Sequence, residues 1–282
     1  MNGSEHAAHV HAAGTFESAA LAVLLCAAVA YAAMAFRQRR QGSRWSHWRT
    51  VAWLVGIALA SVALLPRALP FAPGDFRQHM LQHLLLGMIA PLGLALAAPV
   101  TLLLRSVPRR FARLVGRMLR CTYVRVVSRP EVALILNVGG MAALYFTPLY
   151  DAAAENAFLH GFVHMHFLLA GYLFAWVIAG PDPAPRRPSV PYRIVVLGVA
   201  IAVHATLAQL MYAGAFVAVD VPAQELRGAA EIMYYGGDIA ELLLAFALVS
   251  TWRPRRRWRA APAALSTAVR SAHSRGTPRV VW

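Results

Sequence analysis

Seven stretches of this chain stay apolar for about the 20 residues that a helix needs to cross a bilayer. They cover residues 16–36, 50–66, 77–104, 132–149, 158–179, 194–217 and 230–252. The segments between them are short and rich in arginine. The pattern predicts an all-α, polytopic bundle of seven transmembrane helices. It divides the chain into a tail at 1–15 carrying His6, His9 and His11, a membrane domain at 16–252, and a basic tail at 253–282. Neither an internal repeat nor a separate soluble domain is evident.

The arginines set the expected orientation. The segments after spans one, three, five and seven hold 24 of them, whereas Arg67, Arg77 and Arg227 alone fall on the other side. Basic loops stay cytoplasmic, so the N-terminus is expected outside and the C-terminus inside. The first span follows a polar, His-containing segment and precedes a basic one, unlike a cleaved signal peptide.

Composition agrees with the membrane reading: 59% of residues are hydrophobic and 14% charged, against about 45–50% and about 25% in soluble domains. The net charge is +15. Because the arginines lie in short loops between spans, this charge fits membrane orientation, and no nucleic-acid partner is expected. Cys26 and Cys121 lie at different depths, and no CxxC pair is present, so neither a disulfide nor thiolate metal capture is expected.

Candidate chemistry lies within the spans. His79 and His83, and then His160 and His164, are each four residues apart, which puts both rings of a pair on one helix face. Both pairs fall at the expected outer ends of spans three and five. Ionisable groups at such depth usually face the protein interior and serve a function. His166 points about 200° from His164 and should face another helix. His204 lies near the middle of span six, with Met211 on its face. Glu231, Tyr234, Asp238 and Glu241 occupy a sector of about 80° on span seven, a polar stripe expected to face the histidines. Imidazole and thioether donors together suit copper. The candidate metal ligands are therefore His79, His83, His160, His164, His166, His204 and Met80, with Asp238 and Glu241 orienting them or balancing charge. Pro91 and Pro99 are expected to bend span three.

At these residues the chain resembles a known family. HMLQHLLLGMIAPLGLALAAPVTLLLR at 79–105 and HGFVHMHFLLAGYLFAWVIAGPDPAPRR at 160–187 are similar to the two signatures of the multi-pass CtaG-type cytochrome c oxidase assembly factors. His204, Tyr212 and the region of Asp238 match the family's later spans, and the resemblance runs from about residue 15 to 255. It implies a bacterial inner-membrane protein that matures a haem-copper oxidase, with copper as cargo, oxidase subunits as partners and a periplasmic copper chaperone as donor. A non-catalytic assembly factor is the expected function. The competing expectations are a haem-binding oxidoreductase with one His from each of two helices, and a transporter moving metal or protons along the polar stripe.

Overall fold

The computed structural model describes the backbone of residues 3–72, 74–250 and Trp252, with all their side chains except those of residues 3–17 and Pro66. The chain divides into two units, Met1–Thr251 and Trp252–Trp282. The side chains of His6, His9 and His11 and the basic tail at 253–282 lie outside the described residues.

Among the described residues the first unit is helical throughout, without a strand. The helices are α1 (Gly3–Arg40), α2 (His47–Ala63), α3 (Phe76–Leu84), α4 (Ala90–Leu96), α5 (Pro99–Ser106), α6 (Arg109–Leu119), α7 (Thr122–Val127), α8 (Pro130–Phe146), α9 (Leu149–Glu155), α10 (Ala157–Ile178), α11 (Val190–Ala213) and α12 (Ala223–Ser250). Among the described residues five segments are long and apolar enough to cross a membrane, Ser18–Arg40, Phe76–Ser106, Ala157–Ile178, Val190–Ala213 and Ala223–Ser250, or six if a bent pair counts as one span. This is fewer than the seven the hydropathy pattern predicts. The expected second span is α2, only 17 residues long. The expected fourth is α8, which meets α9 at 78° across Thr147-Pro148. Proline cannot continue the helical hydrogen-bond ladder, and the residue before it avoids helical geometry.

The expected third span is not one regular helix either. A π-helical turn, Leu85–Ile89, separates α3 from α4 and ends just before Pro91. A second break precedes Pro99, where Ala98 takes a left-handed conformation at φ 56°. Breaks at membrane depth need partners for the freed carbonyls. Tyr31 of α1 supplies one, its hydroxyl donating to the Ala97 carbonyl at 2.8 Å. Its ring stacks on Trp53 with centroids 4.7 Å apart.

Small residues set the closest crossings, as expected where lipid competes with side chains for helix surfaces. A Cβ at Gly171 of α10 would run into the Gly87 carbonyl in the π turn. The breaks and crossings together fix where the ends of the helices meet. At one end the Gln38 amide donates to the Arg105 carbonyl at 2.9 Å, and Arg105 lies over Trp45. At the other, the Phe76 N–H donates to Glu225 at 3.1 Å and Ala218 N–H to the Tyr145 carbonyl at 3.0 Å.

Candidate functional site

The second of these ends holds the histidines. Asp75 caps α3, accepting from the Arg77 N–H at 2.8 Å, while the Arg77 guanidinium pairs with it at 2.6 Å. The Arg77 hydrogen bond holds the Asp75 carboxyl below the usual carboxylate range. Asn156 caps α10, accepting from the Phe158 and Leu159 N–H groups. The two caps start α3 and α10 within the same end of the bundle, so their first turns face each other.

Three rings converge there. The centroids of His160 and His164 are 4.4 Å apart, those of His79 and His164 6.2 Å, and those of His79 and His160 6.4 Å. Aromatic walls hold them: His79 stacks on Phe76 and meets the edge of Tyr150 at 4.9 Å. His83, one turn deeper, packs against Phe167 at 4.3 Å and Tyr145 at 6.0 Å. His83 and His164 are buried, and His79 Nε2, His83 Nδ1 and His164 Nε2 are enclosed without a hydrogen-bond partner. A cavity of about 250 Å³, lined by Asp75, Gln78, His79, Gln82, Tyr150 and His160 among others, opens beside the rings. As the side chains stand, no three His, Cys, Asp or Glu residues among the described residues are disposed to hold a metal ion.

Other candidates go elsewhere. His166 faces α8, its Nε2 lying 3.1 Å from the Leu136 carbonyl, where Gly140 leaves room for the ring. Met80 is in the core, its sulfur accepting the Tyr145 hydroxyl at 3.9 Å. Met165 is exposed and Met211 is fully buried in the apolar core. His204 lies 3.8 Å from Glu241, both buried, and its ring fills the space that a Cβ at Gly237 would need. The expected polar stripe on α12 is thus graded. Glu231 is exposed, Tyr234 and Asp238 are half-buried, and Glu241 is buried against His204 rather than beside the paired histidines. Tyr212 is exposed. Cys26 and Cys121 are both free and exposed, as expected of residues that cannot meet.

Sequence reasoning passed over three polar residues, two that position this site and one at the arginine end. Gln82 donates to the Ala63 carbonyl at 2.9 Å and ties α2 to α3. Tyr145 separates His83 from Met80. Asp182, in the Gly-Pro-Asp-Pro run, is buried and caps α5, accepting from Val100 N–H, Thr101 N–H and the Thr101 hydroxyl at 2.6–2.9 Å. Arg187 donates to the Asp182 carbonyl, and burial pulls its guanidinium below its ordinary pKa. A lone acid between two prolines after a span was the available signal.

A broken-helix bundle with paired histidines buried at one end is a multi-pass membrane protein with an intramembrane polar site. The model of the cytochrome c oxidase caa3 assembly factors matches residues 29–255, and the chain belongs to that family. An uncharacterized protein of Mycobacterium bovis and one of Mycobacterium tuberculosis are each 32% identical to it over 263 residues, covering 86% of this chain and 40% of their own length. One of Mycobacterium leprae is 30% identical over 261 residues, covering 84% and 39%. The chain therefore spans about two fifths of these relatives. No solved structure matches it.

Proposed function

We propose that this protein is a non-catalytic assembly factor that binds Cu(I) at the histidine end and passes it to a cytochrome c oxidase. The observation that carries this is the trio of converging rings with enclosed, unpartnered nitrogens. Burying an imidazole nitrogen without a partner is costly, and a soft cation relieves that cost through donors of this type. His79, His160 and His164 are the ligands of choice, with His83 a further donor one turn deeper. A metal–nitrogen bond of about 2.0 Å puts the centroids of two coordinated rings roughly 5–6 Å apart. The His79 separations of 6.2 and 6.4 Å lie just above this range and the His160–His164 separation of 4.4 Å below it, so the rings must shift to close on an ion. Ring rotation into the adjoining cavity completes the set. His204 and Glu241 face each other across α11 and α12, 3.8 Å apart, and stay outside the trio. Asp238, half-buried beside Glu241, belongs with that pair. Met80 and His166 are held by other partners.

Space beside the rings favours an ion over a porphyrin, since about 250 Å³ falls below the roughly 300–1,000 Å³ of pockets for drug-sized ligands. The seven-span topology with the N-terminus outside is supported by 24 arginines in four segments and by the contact of the segments after α1 and α5 at one end. This puts the histidines at the outer face of a bacterial inner membrane, where a periplasmic copper chaperone and the oxidase subunits are the expected partners. The test is a Cu(I) titration of the purified protein against a chromophoric chelator. Wild type is expected to take up one ion per chain and the His79→Ala, His164→Ala variant none; equal uptake would overturn the proposal.

A further inference from the structure

At the arginine end a groove of about 880 Å³ opens between α2, α4 and the last turns of α12. Its mouth is cationic, with Arg44, Arg49 and Arg105 around it. The guanidinia of Arg49 and Arg105 lie over the same Trp45 ring, at 5.0 and 5.7 Å from its centroid. None of the three has a carboxylate within ion-pair distance among the described residues, and no Asp or Glu lines the groove. Below the mouth the walls turn apolar, through Val55, Leu59 and Phe246. From Arg49 to Leu59 the α2 wall runs about 15 Å at roughly 1.5 Å per residue, half of a hydrocarbon core of about 30 Å.

A cationic mouth over an apolar slot one leaflet deep has the chemistry of an amphiphile's complement. We propose that the groove binds an anionic phospholipid, its phosphate on the guanidinia and an acyl chain lying between α2 and α12. The arginine fork matches phosphate oxygens in pairs, and arginine pockets between membrane helices suit anionic head groups. The chain's own segment at 253–282 carries eight arginines, the same sign as the mouth, and is a poor occupant. The inference is independent of copper, because the groove shares no residue with the histidine cavity.

The test is native mass spectrometry of the full chain, delipidated and then re-exposed to equal amounts of phosphatidylglycerol and phosphatidylcholine. Wild type is expected to retain one phosphatidylglycerol per chain, at least tenfold over phosphatidylcholine. Arg49→Gln, Arg105→Gln is expected to cut that preference about tenfold. Val55→Trp leaves the charges in place and fills the slot; because Val55 is half exposed, this variant keeps the fold. It is expected to cut retention as strongly. Equal retention of the two lipids by wild type would overturn the proposal. So would undiminished retention by Val55→Trp, which would leave only surface charge, or its release of a bound polypeptide in place of lipid.

Discussion

The two ends of this bundle handle ionisable side chains in opposite ways. At the histidine end the rings are drawn inward, walled by Phe76, Tyr145 and Phe167, and several of their nitrogens have no partner. At the arginine end the cations stay at the surface or cover aromatic rings, as with Arg40 over Phe36 and Arg110 over Phe111, except Arg193, which is buried and donates to the Ile178 carbonyl at 2.6 Å. The helices differ in the same sense: 61% of the Ala157–Ile178 window is buried inside the protein, but only 11% of Ser18–Arg40. Neutral imidazole tolerates burial, whereas a guanidinium stays charged and must keep water, head groups or a carbonyl in reach. One end encloses its polar rings, and the other leaves its charges mostly outside the core.

The comparison breaks most severely at Gly171. Gly171→Val pushes a side chain into the Gly87 carbonyl and parts α10 from the π turn beneath the histidines. Overpacking of this kind costs about 1–3 kcal/mol or more; the expected outcome is a large fall in melting temperature in detergent together with loss of Cu(I) uptake. Gly198→Ala on the open face of α11, where nothing lies within 4 Å, is expected to be neutral or stabilising by up to about 1 kcal/mol.

Asp182→Ala tests the other end. It strips the cap from α5 and leaves the Val100 and Thr101 N–H groups unpaired, for an expected loss of about 1–3 kcal/mol. Copper stoichiometry should be untouched, because no histidine moves. Within the histidine end, His164→Ala is expected to weaken Cu(I) binding at least tenfold, about 1.4 kcal/mol. His166→Ala, which removes the contact with Leu136 and the packing on Gly140 and the edge of Phe167 but none of the converging rings, should leave affinity unchanged. A chelator competition separates the two.

The smallest effect is at Asp75. Its carboxyl is held below the ordinary range, first by the Arg77 side-chain hydrogen bond. The folded protein therefore binds that proton less readily than the unfolded chain. The stability this contributes is present above the usual aspartate pKa of about 3.9 and disappears as pH falls through the lower folded value. Asp75→Asn keeps a capping oxygen, since Asn caps as well as Asp. It is expected to lower the melting temperature only slightly, through the lost pairing with Arg77, and to remove this acid-dependent part of the melting curve.

Much of the site was legible in the residues. Four-residue spacing necessarily aligned His79 with His83 and His160 with His164, and the 200° phase between His164 and His166 correctly sent the latter to a different helix. Less legible was which polar groups meet across helices. Glu241 was expected beside the paired histidines and lies against His204 instead, because the rotation of α12 follows from Gly237 admitting that ring. Met80, adjacent to His79 in sequence, turns away because successive helical residues diverge by about 100°, toward the Tyr145 hydroxyl.

Hydropathy and helical periodicity, which are local properties of the chain, determined that this is an all-helical membrane protein with paired histidines near the ends of two helices. Only the tertiary structure decided how far each apolar stretch runs as one helix: the breaks fall just before Pro91, Pro99 and Pro148, and at Pro99 the Tyr31 hydroxyl takes up the freed Ala97 carbonyl. It also decided which rings converge. That depends on the close crossing at Gly171 and Gly87, and so on the packing of residues more than eighty positions apart.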